Sequence, residues 1–117
     1  MRGVAGVVVD GPVRDIDEAR QMDFPVYGRT ATARTARNRI VEIGTDIPVT
    51  IGDLTVVPGD YVLADGSAVV FLTQADAERI LDAAESIAGR EAAMAKALQS
   101  GKPITEVMGA DYEHMLK

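Results

Sequence analysis

The chain changes its hydrophobic period once, at Thr73, and that change points to an α/β architecture. Up to Leu72 the apolar residues come in short runs: Val7 to Val9, Phe24 to Tyr27, Ile40 to Ile43, Val49 to Ile51, Leu54 to Val56, Tyr61 to Ala64 and Ala68 to Leu72. Such runs, rich in β-branched residues and separated by Gly, Pro and Asp, read as strands. Val7-Val8-Val9 reads as a strand covered on both faces. Asp10-Gly11-Pro12 is expected to stop it, since proline cannot donate to a ladder and glycine tolerates tight turns. Pro25 belongs at the start of its strand, and Gly52-Asp53 between two runs predicts a hairpin. Beyond Leu72, Ala77, Ile80, Leu81, Ala84, Ile87, Ala88, Met94, Ala95 and Leu98 recur at helical spacing. A helix is expected from Thr73 to Gln99, with Thr73 as N-cap, Asp76 as a capping-box acid and Gly101 as the stop. Gly89 inside it costs about 1 kcal/mol relative to alanine. A second short helix is expected from Thr105 to Met108.

Composition narrows the chemistry. With 117 residues the chain suits a single domain, residues 1–117, with a modest core. There is no cysteine, which excludes disulfides, thiolate catalysis and Cys-ligated metals. The only histidine is His114, so a His-cluster metal site within one chain is excluded as well; it reads as an exposed tail residue. No apolar stretch reaches the roughly 20 residues that span a bilayer, and Asp10-Gly11-Pro12 interrupts the first apolar run too early for a signal peptide. A cytoplasmic protein with no membrane partner is expected. The net charge of −6 argues against nucleic acid as a partner, because phosphate binding needs a basic surface. Arg29, Arg34, Arg37 and Arg39 form a local exception, read either as a solvated or subunit-contact loop or as a basic rim drawing dianions toward Arg14.

Arg14 and Asp15 follow the first strand at once. In open α/β sheets the crevice beyond strand carboxyl ends is where ligands bind. A guanidinium grips a carboxylate with two prongs, and a neighbouring carboxylate is a hard ligand for a divalent cation. The bland alternative is a helix-capping Asp15, placed before a short helix from Ile16 to Met22, beside a surface arginine. Asp10 either assists this site or bonds its own backbone in a turn. Asp60 and Asp65 read as structural turn residues, and Glu106 and Glu113 as acids able to reach a neighbouring subunit's cleft.

The ordered set DGPVRD, FPVYGR (Phe24 to Arg29) and IPVTIGDLTVVPGDYVLADGSAVVFL (Ile47 to Leu72) resembles the RraA-like family. That family contains divalent-metal pyruvate aldolases acting on 4-hydroxy-4-methyl-2-oxoglutarate and regulators of ribonuclease E. The resemblance is to the later, C-terminal portion of the family only. It implies a swivelling β/β/α-type α/β domain, here lacking its N-terminal part, with a long C-terminal helix. It also implies that Arg14 is the substrate-binding arginine and Asp15 the metal-associated aspartate, together the catalytic pair, with Mg²⁺ or Mn²⁺ as cofactor.

By the same resemblance the expected activity is class II, metal-dependent cleavage of a 2-oxo acid to pyruvate, with oxaloacetate decarboxylation as a further activity. The isolated chain is expected to be partial: a glycine-rich loop and a further acid would precede Val4, supplied by a complementary N-terminal segment or chain. A homotrimer or higher oligomer is implied. The general base is not identified. Two other readings stay open, a non-catalytic protein-binding regulator resembling the ribonuclease E inhibitors and an inactive partial subunit. Arg14-Asp15 favours the enzyme, since the regulators typically lack the acid after this arginine.

Overall fold

Strand β1 (Val7–Val13) pairs in parallel with β2 (Val26–Ala31), and helix α1 (Ile16–Gln21) lies in the crossover between them. Parallel neighbours need a connection of about a dozen residues, usually helical, and the segment from Arg14 to Pro25 provides it. This computed structural model describes residues 3–109; Glu113 and His114 lie outside the described residues. The chain divides after Phe71 into two compact units.

In the first unit β1 does not stop at Asp10. The ladder joins Val9 to Gly28 and resumes with Pro12 to Thr30, so Asp10 and Gly11 together face Arg29 alone. That is a β-bulge, one of the few places inside a sheet where proline is tolerated. The strand then reaches Val13, whose carbonyl accepts from the Thr32 N–H at 2.9 Å. The valine run is not covered on both faces either: Val7 is exposed, and Val8 and Val9 are half-buried. Helix α1 turns back through a left-handed Asp23. Phe24 N–H donates to Ala19 O and Asp23 N–H to Arg20 O, the bond pair of a Schellman ending made without glycine.

The hairpin follows expectation. Strands β3 (Val49–Ile51) and β4 (Leu54–Val56) pair antiparallel, with Ile51 opposite Leu54, and Gly52 takes the positive φ of 64° that the turn requires. Strands β5 (Tyr61–Ala64) and β6 (Val69–Leu72) form a further two-stranded sheet. Asp65 accepts from the N–H groups of Ser67 and Ala68 in their connection, and Asp60 accepts from Val57 N–H. Residues 40–43 form no strand. Ile40, Val41 and Ile43 are 72%, 80% and 88% exposed, so their β-branched character has no ladder among the described residues to act through.

The second unit is built on α2 (Ala77–Gln99), which begins four residues later than the spacing suggests. Thr73 still caps the approach: its hydroxyl accepts from the Asp76 N–H at 3.2 Å and donates to the Asp76 carboxylate at 3.0 Å. The helix runs through Gly89 and closes on Gly101, at φ 91°. Lys102 N–H donates to Ala97 O and Gly101 N–H to Leu98 O, a second Schellman ending. Helix α3 covers Ile104–Val107.

The expectation of a fold without its N-terminal part is corrected. The α/β arrangement is present from Val7 onward, because β2 supplies the first strand with a parallel ladder directly across the α1 crossover. The core is thinner than the apolar fraction suggests: among the described residues only Ala19, Leu72 and Ala77 are buried apolar side chains. No helix among the described residues is long and apolar enough to cross a membrane.

Candidate active site

Arg14 and Asp15 sit where β1 ends and α1 begins. In an extended strand successive side chains point to opposite faces, yet here the Arg14 Nε donates to the Asp15 carboxylate at 2.9 Å. Asp15 has left the strand conformation, with φ 57° and ψ 36°. The left-handed region is uncommon for residues other than glycine, with aspartate and asparagine the usual exceptions. A helix N-cap ordinarily has extended dihedrals and a side chain bonded to the first turn. Asp15 does neither: its backbone carbonyl accepts from Ala19 N–H at 3.0 Å, but its carboxylate makes no capping bond. The expected cap is therefore corrected, and the carboxylate is committed to Arg14 instead.

Both side chains remain about half exposed, at 48% and 60%. They line an open cleft of about 600 Å³ together with Asp17, Glu18, Arg20 and Thr32. Donation through Nε leaves the two Nη nitrogens of Arg14 as prongs for a carboxylate. The donor set for a cation is one carboxylate in reach of water, with two further acids on the same cleft. Among the described residues no group of three His, Asp or Glu side chains is placed to hold a metal ion. Oxygen donors are the kind that Mg²⁺ and Mn²⁺ take, and Mg²⁺ keeps several waters and needs only one or two carboxylates.

Asp10 is not part of this cleft. Its carboxylate is paired with Arg29 on β2 and also accepts from the Gly52 N–H, at 2.9 Å, on the hairpin turn. The hydrogen bond from Arg29, then that from Gly52, holds the Asp10 carboxyl below the usual aspartate range, and Asp10 in turn raises Arg29. The local turn bond expected of Asp10 is replaced by two bonds distant in sequence. Arg29 borders a second hollow of about 560 Å³ with Asp10, Gly52 and Asp65; it does not line the Arg14–Asp15 cleft, so it is no part of a rim there. The sequence offers no direct signal for the Asp10–Arg29–Gly52 clasp, because the contact depends on strand register. Thr32, half-buried in the cleft wall, was hidden in a segment that reads only as polar loop.

Comparison with known proteins bears on the family and the fold. The RraA-like family, described as Aldolase/RraA, matches residues 1–71. The 4-hydroxy-4-methyl-2-oxoglutarate aldolase of Thermus thermophilus is 34% identical over 74 residues, 62% of this chain and 44% of that protein. An uncharacterized protein of Methanocaldococcus jannaschii is 26% identical over 112 residues, covering 95% of this chain and 53% of the other. The crystal structure of an uncharacterized protein from Pseudomonas syringae pv. tomato superposes with a TM-score of 0.84 at 29% identity, over 92% of this chain and 54% of that one. The chain thus spans about half the length of these relatives. The likeness is not limited to a C-terminal portion, as the motifs suggested: it starts with the first residues and takes in nearly the whole chain. With the family matched across residues 1–71, bulge, Arg14-Asp15 turn and hairpin included, the chain belongs to the RraA-like family.

Proposed function

We propose that this chain carries the substrate grip of a divalent-metal-dependent pyruvate aldolase, cleaving 2-oxo acids of the 4-hydroxy-4-methyl-2-oxoglutarate type. The observation that carries the reading is the Arg14–Asp15 pair, turned out of the strand into an open cleft rather than folded back as a helix cap. Its aldolase-named relatives support it.

Arg14 would receive the negatively charged substrate on its Nη prongs, a planar two-point contact that fixes orientation. In retro-aldol cleavage the C4 hydroxyl gives up its proton to water and becomes a carbonyl as the C3–C4 bond breaks, leaving the electron pair on a pyruvate enolate. Loss of CO₂ from oxaloacetate leaves the same enolate, and in both cases a proton taken up from water at C3 gives pyruvate. The fixed positive charge of Arg14 favours the negative charge that develops on the former keto oxygen, which is uncharged in the bound substrate. Asp15 would hold Mg²⁺ or Mn²⁺ directly or through water. The cation, when bound, supplies Lewis-acid stabilisation of the developing oxyanion. Asp17 and Glu18 keep the rim acidic and hydrated, which suits a cation that retains its waters. Assembly as a homotrimer or higher oligomer is part of the same proposal.

The test is pyruvate release, followed by coupled reduction to lactate, from 4-hydroxy-4-methyl-2-oxoglutarate and from oxaloacetate in the presence of Mg²⁺. Activity is expected to vanish with chelator and in Asp15→Ala. Turnover that survives both treatments overturns the proposal.

A further inference from the structure

We infer that Asp10 and Arg29 are positioning residues that aim the Arg14–Asp15 turn by clamping the bulge in β1. The inference rests on the proposed role of Arg14 and Asp15 and adds residues outside their cleft.

Three observations converge. The bulge inserts one extra residue between Val9 and Pro12, and Arg29 is the single β2 residue facing Asp10 and Gly11. The ion pair therefore bridges the two strands at the one point where their ladder is broken. The second oxygen of Asp10 accepts from the Gly52 N–H at 2.9 Å, which ties the same point to the hairpin turn. Between this clamp and Arg14 lie only Gly11, Pro12 and Val13. Glycine is permissive and proline cannot donate to the ladder, so past the break β1 depends on the clamp and on bonds such as Thr32 N–H to Val13 O. A bulge re-aims the strand beyond it, and a small misplacement of a substrate-orienting group is costly in rate. Asp10 thus acts on the site through the strand rather than by touching substrate.

The experiment uses the full chain with Asp10→Asn, Arg29→Gln and the double variant, studied in the cold where each is folded. Amide exchange is read by NMR at Thr32, beyond the bulge, and at Val7, which donates to Pro25 O before it. Affinity for oxalate, a planar dianion resembling the pyruvate enolate, is read by calorimetry with Mg²⁺. Either single variant is expected to speed exchange at Thr32 while sparing Val7, and to weaken oxalate about tenfold, on the scale of a positional error at a binding group. The double variant is expected to be no worse than either single one, because both remove the same contact. Equal acceleration at Thr32 and Val7, additive losses, or unchanged oxalate affinity in variants of a binding wild type overturns the inference. A wild type that does not bind oxalate sinks the proposed function instead, and the clamp then stands or falls on the exchange pattern alone.

Discussion

Arg14 donates to Asp15 at 2.9 Å although the two are adjacent in sequence, and the left-handed backbone of Asp15 accompanies that contact. A strand would have sent the two side chains to opposite faces. The same conformation determines which substitutions can test the site cleanly.

Asp15→Asn keeps a residue type that tolerates the left-handed region, so stability is expected to change by no more than about 0.5 kcal/mol. Asp15→Val adds a β-branched clash in that region and is expected to cost about 1–2 kcal/mol more. Both should lose pyruvate release. Urea unfolding beside the coupled assay separates the two effects; an active Asp15→Asn would remove the carboxylate from the chemistry.

Arg14→Lys keeps the charge and loses the two-pronged contact. A fall of about 10² in kcat/KM is expected, within the range seen when a preorganised oxyanion donor is removed. Steady-state kinetics on oxaloacetate checks this, with circular dichroism confirming that the fold is unchanged.

Acid should unmake the clamp. Arg29 holds the native Asp10 carboxyl below its ordinary value of 3.8, so the unfolded chain takes up this proton more readily than the native one. The contribution is complete above that ordinary value and is lost as pH falls through the lower native one. Thermal unfolding between about pH 6 and about pH 3 should show a steeper loss in the wild type than in Asp10→Asn. Asp65 and Asp76 are also held low, by backbone N–H groups and by Arg79 respectively. The variant should therefore keep part of the acid sensitivity; equal slopes would deny Asp10 its role.

Gly28→Ala probes the packing of β1 on β2. A Cβ at Gly28 would lie 2.6 Å from Val13 Cγ1 and 3.1 Å from the Gly11 carbonyl oxygen, so the Val13 side chain must shift and the Gly11 backbone give slightly. A loss of about 1–3 kcal/mol is expected, as for overpacking elsewhere, together with weaker oxalate binding because Val13 precedes Arg14. Denaturant titration and calorimetry provide the two readings.

Gly89→Ala is the opposite case. Nothing lies within 4 Å of the added Cβ, and the position is mid-helix in α2. The variant is expected to be more stable by about 0.5–1 kcal/mol, visible as a higher melting temperature with activity unchanged.

Local chemistry made much of this chain legible. Gly52-Asp53 fixed the hairpin because glycine supplies the turn's positive φ, and Gly101 fixed the end of α2 for the same reason. Thr73 and Asp76 met across the helix start as their spacing suggests. The adjacency of Arg14 and Asp15 put both at the end of a strand, and their pairing needed no distant partner.

What the amino acids could not state in order was decided by pairing across distance. Pro12 reads as a strand breaker until β2 lies alongside and absorbs the extra residue as a bulge. Ile40, Val41 and Ile43 have strand character, but that character acts only through a neighbouring ladder, and none forms among the described residues. Asp10 bonds Arg29 and Gly52 rather than its own turn because strand register, which local sequence does not state, set them beside it. Turn and cap preferences are properties of a few consecutive residues, whereas strand register and ion pairing depend on groups that meet only after the chain has folded.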